Sequence, residues 1–323
     1  MAKVLITGAS GFVGNNLTRH VLTLGHRVNL LLRDSYAEWR VQDIREHAEI
    51  HTADLRDSDT VNRIVKEIGP DWVFHLAAHG AYSSQSDVMR ILQSNIIGTA
   101  TLLQACLETG FEAFVNTGSS SEYGFKDHPP GEKEWLEPNS YYAVAKASAT
   151  LFCRYTAQSL GLRIPTLRLY SVYGPYEEPS RLMPTLIVKG LQNQLPPLVA
   201  PHIARDYVYV DDVVRAYLLA ATEEKQELGA VYNVGTGVQT SLREVVDVAC
   251  RTLGIAGEPK WGTMDNRIWD TATWVSDNQL VKQELGWHPE YTFEQGFRKM
   301  VQWFKDNPAM TEEYRRGIDD TGH

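Results

Sequence analysis

The sequence predicts an α/β fold: a doubly wound parallel sheet with helices on both faces, joined to a smaller C-terminal α/β domain. Two observations lead to this prediction. Short apolar runs rich in β-branched residues alternate with longer helical patterns through the first half of the chain, as they do in successive βαβ units. The predicted strands are also apolar along their whole length, which indicates burial on both faces.

The first half of the chain contains six predicted strands, which are Lys3–Thr7, Arg27–Leu32, Glu49–Thr52, Asp71–Leu76, Ala113–Thr117 and Arg163–Leu169. The helical stretches between them are Val13–Leu24, Thr60–Glu67, Leu92–Glu108 and Tyr142–Leu160. Because this alternation is typical of one parallel sheet, we assign residues 1–178, with returns near 206–236, to the main domain.

The chain changes in character after residue 175, where proline and polar residues become more frequent. The elements predicted here are a helix near Pro184–Asn193, a strand at Asp206–Tyr209, a helix from Asp211, a strand at Val231–Val234, and helices at Leu242–Leu253, Gln279–Leu285 and Phe293–Asp306. We assign residues 179–323 mainly to a smaller substrate-binding domain. The residues from Glu312 are polar, and we expect them to be frayed.

The composition is that of a globular protein, since 43% of the 323 residues are hydrophobic and 22% are charged. The formal net charge of -9 argues against a nucleic acid partner, because phosphate backbones need a basic face. Apolar runs stay well below the roughly 18 residues of a membrane span, and the apolar start of the chain is too short for a signal peptide. Cys106, Cys153 and Cys250 lie far apart and lack metal-ligand spacing. We therefore expect a cytoplasmic protein with reduced cysteines, no metal site and no membrane partner.

A glycine-rich loop follows the first predicted strand. A predicted helix begins near Phe12 and Val13. Gly8 and Gly11 precede it, and Gly14 lies in its first turn. Glycines at these places allow a tight turn and a close approach of the backbone to a pyrophosphate, which the positive end of the helix also attracts. The arrangement predicts a Rossmann-like binding site for a nicotinamide dinucleotide.

The second predicted strand ends in Leu32, Arg33 and Asp34. At this place an acidic residue binds the ribose 2′-hydroxyl of NAD, whereas an arginine suits the 2′-phosphate of NADP. Leu32 stands where an aspartate is usual, and the Arg33 guanidinium can pair with the phosphate and stack on the adenine. We therefore expect NADP(H) as the preferred cofactor, and Asp34 leaves NAD(H) open.

Tyr142 and Lys146 are four residues apart on a predicted helix and therefore share one face. An ammonium group beside a phenol favours the phenolate, so we expect a lowered pKa for Tyr142. Ser119 opens a serine cluster after the fifth strand, at the sheet edge where folds of this kind bind ligands. Its hydroxyl could donate to a substrate oxygen while Tyr142 exchanges a proton. The alternative is that Tyr142 and Lys146 are an ordinary solvated helix face.

Together with further motifs, these features make the chain resemble an extended short-chain dehydrogenase/reductase of the NAD-dependent epimerase/dehydratase family. The resemblance covers nearly the whole chain. Besides the glycine loop, the serine cluster and the Tyr-x-x-x-Lys pair, the matching motifs are Asp54-Leu55, His75-Leu76-Ala77-Ala78, Asn95-Ile96-x-Gly98-Thr99, Arg168-x-Tyr170-Ser171-Val172-Tyr173-Gly174-Pro175, Arg205-Asp206-Tyr207-Val208-Tyr209-Val210-Asp211-Asp212-Val213 and Tyr232-Asn233-Val234-Gly235.

The residue patterns and the resemblance together assign a role to each matching residue. Ser119, Tyr142 and Lys146 resemble the catalytic residues of the family. The expected dinucleotide contacts are made by Gly8, Gly11, Phe12, Val13, Gly14, Arg33, Asp54, Leu55, Leu76, Ala77, Ala78, Asn95, Thr117, Tyr142, Lys146, Tyr170 and Val172. The expected contacts with a nucleotide-diphosphate sugar are made by His79, Ser83, Ser120, Ser121, Arg181, Lys189, Arg205 and Arg267. Of these, Arg205 and Arg267 resemble the residues that grip the diphosphate.

The family resemblance implies one of several reactions: 4-epimerisation, 4,6-dehydration, decarboxylation or 4-keto reduction. Family dehydratases carry acidic residues directly after the catalytic hydroxyl, and these act as an acid/base pair. Here Ser120 and Ser121 occupy those places, and Glu122, one residue later, is expected to point away. We therefore expect NADP(H)-dependent reduction at C4 of an NDP-4-keto-6-deoxy sugar, with Tyr142 as the proton donor. An NDP-sugar 4-epimerase with tightly bound NAD stays open, as does a non-catalytic dinucleotide-binding sensor.

Two predicted helices, Leu92–Glu108 and Tyr142–Leu160, are apolar over a wide face. The family resemblance implies that they pair with their copies in a four-helix homodimer interface. The alternative is that both faces are buried inside the monomer.

Overall fold

The computed structural model describes residues 1–82, 85–264 and 271–320. In chain order its strands are β1 (Lys3–Thr7), β2 (Arg27–Leu32), β3 (Glu49–Thr52), β4 (Trp72–His75), β5 (Ala113–Ser119), β6 (Thr166–Leu169), β7 (Ser171–Tyr173), β8 (Ala204–Arg205), β9 (Tyr207–Tyr209), β10 (Val231–Val234) and β11 (Thr240–Ser241). Its helices are α1 (Phe12–Thr23), α2 (Ser58–Ile68), α3 (Val88–Leu92), α4 (Gly98–Thr109), α5 (Tyr141–Leu160), α6 (Leu182–Gly190), α7 (Val210–Thr222), α8 (Leu242–Leu253), α9 (Gln279–Leu285), α10 (Phe293–Asp306) and α11 (Pro308–Asp320).

Seven strands form one parallel sheet in the spatial order β3, β2, β1, β4, β5, β6 and β10. The direction of the strand order changes between β1 and β4, so the loops after these two strands open a crevice at the carboxyl edge of the sheet. Two small sheets accompany it, a parallel pair of β7 and β9 and an antiparallel pair of β8 and β11. The predicted Rossmann-like doubly wound sheet is therefore confirmed.

Apolar clusters cover both faces of the large sheet. Val4 and Ile6 of β1 belong to the cluster that includes α1 and α7, whereas Leu5 between them belongs to the cluster that includes α2, α4 and α5. This alternation shows that β1 is buried on both faces, as its continuous apolar run predicts. Every helix among the described residues is too short or too polar to span a bilayer.

A separate apolar cluster joins α6, α8, α10 and α11. It includes Tyr314 and Ile318, which are 0% and 1% exposed, and the Tyr314 hydroxyl donates to the main-chain oxygen of Glu177 at 2.7 Å. The expectation that the residues from Glu312 are frayed is therefore wrong for the described part, where α11 packs against its neighbours. The domain boundary near residue 178 stays a prediction.

The predicted helix Leu92–Glu108 is interrupted in the structure. A π-helical turn, Gln93–Ile97, separates α3 from α4. A π turn adds a residue to the helical turn and changes the direction of the side chains it carries. This turn carries Asn95, which is 1% exposed.

Arg40 links the glycine-rich loop to the segment after β7. Its side chain is 4% exposed. The guanidinium donates to the main-chain oxygens of Ser10, at 3.3 Å, and Tyr176, at 2.8 Å, and it pairs with the Glu178 carboxylate at 3.0 Å. One buried side chain thus connects two parts of the molecule that are far apart in sequence.

Candidate active site

The glycine-rich loop lies directly against the end of β4. Gly8 has a φ of +75°, and a Cβ atom there would lie 2.6 Å from the backbone nitrogen of Ala77. A Cβ at Gly14 would lie 2.3 Å from the Gly8 oxygen, and the Gly11 amide donates to that oxygen at 2.9 Å. Because Gly11 caps α1 without a side chain, the first amides of the helix, including those of Phe12 and Val13, remain for a ligand. The loop therefore fits a dinucleotide pyrophosphate.

Polar groups surround the place where the adenosine end of a dinucleotide would lie. Arg33 is exposed directly after β2. Asp54, directly after β3, pairs with Arg56 at 2.7 Å, and this hydrogen-bonded guanidinium lowers the pKa of Asp54 to about 2. Arg33 is close enough to lower the pKa of Asp54 further. An adjoining surface cavity of about 480 Å³ is lined by Asp54, Arg56, Asp57, Gln93 and Ile97.

Leu55 continues this side of the crevice. It packs against the start of α4, where a Cβ at Gly98 would lie 3.0 Å from the Leu55 Cβ. Leu76, Ala77 and Ala78 follow β4 as partly or fully exposed residues beside the glycine-rich loop. These apolar side chains form the flanks expected of a dinucleotide crevice.

Asn95 holds the loop that follows β4. Its side-chain oxygen accepts from the His79 amide at 2.8 Å, and its side-chain nitrogen donates to the His79 carbonyl at 2.7 Å. His79 itself is half-buried, and burial, with Arg90 and Arg33 nearby, lowers its pKa. Both polar atoms of the Asn95 side chain are therefore hydrogen-bonded to the protein backbone.

The three expected catalytic side chains meet at the carboxyl end of β5. The Lys146 ammonium donates to the main-chain oxygen of Thr117 at 2.8 Å. The Ser119 hydroxyl lies 2.8 Å from that of Ser121 and is close enough to Tyr142 to act on the pKa of its phenol. Ser119 and Tyr142 are both half-buried, whereas Lys146 is only 4% exposed. This geometry places a hydroxyl, a phenol and an ammonium around one point of the crevice.

The pKa values at this point differ from the sequence-based expectation. Burial raises the pKa of Tyr142 to about 12, with a further contribution from the negative charge of Glu122. Burial also lowers the pKa of Lys146 to about 8. The expected lowering of the Tyr142 pKa by Lys146 is not found, because the loss of water around the phenol dominates and the ammonium is directed to a backbone carbonyl.

Other expected residues lie directly after β5 and β6 and in β7. Tyr170 is 7% exposed, and its hydroxyl has no hydrogen-bond partner among the described residues. Val172 is part of β7, and Ser120 is 7% exposed. Such an orphaned hydroxyl is consistent with a ligand beside Tyr170.

The basic residues expected to bind a nucleotide-diphosphate sugar lie on the second part of the chain. Arg181 precedes α6, donates to the Ala81 oxygen at 3.4 Å and lies 5.0 Å above the ring of Tyr82. Lys189 lies in the last turn of α6, and the Arg205 guanidinium lies 5.3 Å from the ring of Trp274. The two other residues expected to contact the sugar nucleotide, Ser83 and Arg267, lie outside the described residues.

Sequence reasoning missed the role of Glu122. Residues Ser120–Tyr123 form a 3-10 turn instead of continuing the strand, and the turn folds Glu122 back beneath Ser119. The carboxylate is 0% exposed and pairs with Arg168 at 2.8 Å. The spacing Ser-x-x-Glu is the signal that could have identified it, because that pattern is typical of a capping box.

Many known proteins are similar to this chain, and three of them represent the range of their activities. A UDP-glucose 4-epimerase from Thermotoga maritima, solved with UDP-glucose, is 28% identical with a TM-score of 0.85, covering 94% of this chain and 99% of that one. A dTDP-glucose 4,6-dehydratase from Bacillus anthracis, solved with NAD, is 25% identical with a TM-score of 0.84, covering 96% and 99%.

The third relative is a trifunctional UDP-glucose 4,6-dehydratase/UDP-4-keto-6-deoxy-D-glucose 3,5-epimerase/UDP-4-keto-L-rhamnose-reductase from Arabidopsis thaliana. It is 28% identical in an alignment 319 positions long that covers 95% of this chain and 47% of that protein, so the chain spans about half of its length. The model of the NAD dependent epimerase/dehydratase family matches residues 4–235. With this match over most of its length and a parallel sheet that carries the expected glycine-rich loop, the chain belongs to the NAD dependent epimerase/dehydratase family.

Proposed function

We propose that the protein is an NADP(H)-dependent reductase that acts at C4 of a 4-keto-6-deoxy sugar carried by a nucleoside diphosphate. The observation that carries this proposal is the set of side chains after β5. Ser120 and Ser121 stand directly after Ser119, and the nearby carboxylate of Glu122 is held in a buried ion pair with Arg168. Since dehydration needs an acid/base pair beside the catalytic hydroxyl, this site favours reactions at C4 alone.

The choice of NADP(H) depends on Arg33. Its exposed side chain follows β2, beside the region in which Asp54 and Arg56 line a cavity. A guanidinium there offers a planar set of donors to the 2′-phosphate of NADP. A cofactor that exchanges with solution is what a reductase needs, because each turnover consumes one reduced dinucleotide.

The side chains of the site suit proton donation at C4. The bound dinucleotide supplies the hydride that reduces the sugar carbonyl. Tyr142 holds a proton at neutral pH, because its pKa is raised to about 12, and it donates that proton to the carbonyl oxygen. Ser119 donates a hydrogen bond to the same oxygen and stabilises the charge that develops on it. Lys146, fixed by the Thr117 carbonyl, positions the helix face that carries Tyr142.

A 4-epimerase with tightly bound NAD is the second candidate. The observation that favours it is the likeness to the UDP-glucose 4-epimerase of Thermotoga maritima over 94% of the chain. Asp34, next to Arg33, is also exposed at the end of β2 and could accept from a ribose hydroxyl. This reaction would use the same Ser119 and Tyr142, with the phenol acting first as a base.

The two functions are separated by following the cofactor. We expect NADPH to be oxidised in proportion to the consumption of a UDP- or dTDP-4-keto-6-deoxy sugar, and Tyr142→Phe to abolish this reaction. Conversion of a UDP-hexose into its C4 epimer without net change in the cofactor would contradict the reductase and support the epimerase. A protein that binds a dinucleotide but catalyses neither reaction, and whose binding is unchanged by Tyr142→Phe, would contradict both.

We also propose that the protein forms a homodimer through α5 and the adjoining helical turns. Val144, Leu151 and Tyr155 lie on one side of α5 and are 40%, 58% and 72% exposed. Met89 and Ile97 on the neighbouring segment are 61% and 54% exposed. Contiguous apolar surface of this kind is typical of a protein interface. Analytical ultracentrifugation tests the proposal, and a monomer at micromolar concentration would contradict it.

A further inference from the structure

The Glu122 carboxylate makes contact with both elements that carry the expected catalytic side chains. On the side of β5, its Oε1 accepts from the Ser119 amide at 2.8 Å, while the Ser119 hydroxyl accepts from the Ser121 amide at 3.2 Å. These two hydrogen bonds form a capping box, which fixes the 3-10 turn and the backbone at Ser119. The orientation of the serine therefore depends on the carboxylate.

On the side of α5, the same Oε1 accepts from the Thr150 hydroxyl at 3.1 Å. Thr150 follows Lys146 by one helical turn and Tyr142 by two, so the three side chains share one face of α5. One carboxylate oxygen thus ties the end of β5 to the helix face that presents the phenol and the ammonium.

The surroundings leave this carboxylate little freedom. The Arg168 guanidinium donates to its Oε2 at 2.8 Å and also donates to the Tyr123 hydroxyl at 2.7 Å. A Cβ at Gly118 would lie 2.7 Å from Oε1, so only glycine leaves room for the carboxylate beside β5. Every oxygen of Glu122 is engaged, and its charge is compensated by a buried cation.

We propose that Glu122 is a positioning residue that sets the distance between the Ser119 hydroxyl and the Tyr142–Lys146 face of α5. It acts through the Ser119 amide and through Thr150 rather than by contact with substrate. This inference goes beyond the proposed function but depends on it, because the positioned groups matter only if Ser119 and Tyr142 take part in the reaction.

The charge of Glu122 has a second effect. It raises the pKa of Tyr142 and opposes the lowering of the Lys146 pKa by burial. Tyr82 and Arg181 also act on Tyr142, the first raising its pKa and the second lowering it, and Cys153 acts on Lys146. Removing the Glu122 charge should therefore lower the pKa of both Tyr142 and Lys146, which moves the alkaline limb of the pH profile of kcat to lower pH.

Two variants separate geometry from charge. Thr150→Val removes one hydrogen bond to the carboxylate and keeps its charge. Glu122→Gln keeps an oxygen acceptor and removes the charge. The matched control is Thr156→Val, since Thr156 is another buried threonine of α5 but donates to the main-chain oxygen of Phe152. Thermal unfolding and NADPH binding first establish that each variant is folded.

We expect Thr150→Val to lower kcat about tenfold, with KM and the pH profile unchanged, because small displacements of reacting groups are costly. We expect Glu122→Gln to lower kcat about a hundredfold and to shift the alkaline limb to lower pH. Thr156→Val should match the wild type. The positioning role is overturned if the folded Thr150→Val protein has the kcat of Thr156→Val. It is also overturned if Glu122→Gln is folded and keeps the wild-type kcat and pH profile.

The same comparison is made on whichever reaction the wild-type protein catalyses, since reduction and 4-epimerisation both use Ser119 and Tyr142. The difference between the ultraviolet pH titrations of the protein and of its Tyr142→Phe variant measures the ionisation of Tyr142 without any turnover. Glu122→Gln should move this ionisation to lower pH. An inactive wild type in which this shift is present contradicts the proposed function alone. An unmoved titration contradicts the effect of the Glu122 charge on Tyr142 and leaves the proposed function untouched.

Discussion

The Nδ1 atom of His75 lies 2.7 Å from the Thr7 hydroxyl, and the Nε2 atom lies 2.9 Å from the Thr99 hydroxyl. The imidazole thereby joins β1 and β4 to α4, directly behind the glycine-rich loop. Because the Thr7 hydroxyl also accepts from the Ala77 amide at 3.3 Å, this histidine supports the backbone that flanks the dinucleotide crevice. Complete burial lowers the pKa of His75 to about 3.

This buried histidine predicts a loss of stability in acid. Below its ordinary pKa of 6.5 the unfolded chain binds a proton that the native state does not bind. The contribution of His75 is therefore present above that pH and is lost as the pH falls toward 3, at up to about 1.4 kcal/mol per pH unit. Urea unfolding at several pH values should show that the free energy of unfolding falls less steeply with decreasing pH in His75→Asn than in the wild type. The exposed His20, replaced in the same way, serves as the control, and equal slopes in all three proteins would contradict the prediction.

Glu177 predicts the opposite dependence on pH. Its side chain is 8% exposed, Oε2 has no partner among the described residues, and burial raises its pKa from 4.5 to about 8. Between pH 4.5 and 8 the native state therefore keeps a proton that the unfolded chain releases, so the free energy of unfolding falls as the pH rises, at up to about 1.4 kcal/mol per pH unit. Glu177→Gln should gain unfolding free energy relative to the wild type over this range. The exposed Glu108, changed to Gln, serves as the control and should show no such trend. A difference in unfolding free energy between Glu177→Gln and the wild type that does not change with pH would contradict the raised pKa of Glu177.

Tyr142→Phe tests the proton donor. Removal of the hydroxyl should lower kcat by about 10²- to 10⁴-fold, because the transition state loses its acid, while NADPH binding changes little. Tyr141→Phe is the matched control on the same helix, since Tyr141 is 61% exposed. Steady-state kinetics and fluorescence titration measure the two effects. A kcat within twofold of the wild type in Tyr142→Phe would remove the phenol from the mechanism.

Arg33→Ala tests the cofactor preference. Losing a charged donor to the 2′-phosphate should weaken NADPH binding by about tenfold to a hundredfold and leave NADH binding nearly unchanged. The control is Arg63→Ala, because Arg63 is an exposed residue of α2. It forms a surface ion pair with Glu67 at 3.1 Å. Calorimetric titration with both cofactors is the measurement. Equal weakening of NADPH and NADH would show that Arg33 does not read the 2′ position.

The features that sequence predicted well are those encoded locally. Gly8, Gly11 and Gly14 act through backbone geometry within seven residues, so strand, loop and helix follow from the pattern itself. Tyr142 and Lys146 share a face because four residues make about one helical turn. The family resemblance, which the comparison confirms, depends on such short motifs.

The features that sequence missed depend on contacts between distant residues. The pKa of Tyr142 is governed by burial, which spacing along one helix does not reveal. Glu122 was expected only to point away from the site, and its pairing with Arg168 joins residues 46 positions apart. In α11, Tyr314 and Ile318 form a helical i, i+4 pair among polar residues, and two apolar positions are a weak signal until the face they cover is known.

The three-way attachment of Arg40 limits how the molecule can open. Rotation of the segment around Tyr176 and Glu178 away from Ser10 would separate the Arg40 guanidinium from its acceptors on one of the two segments. Leaving a buried cation without acceptors is costly. Displacement of this segment would therefore also displace the glycine-rich loop, because one buried side chain holds both.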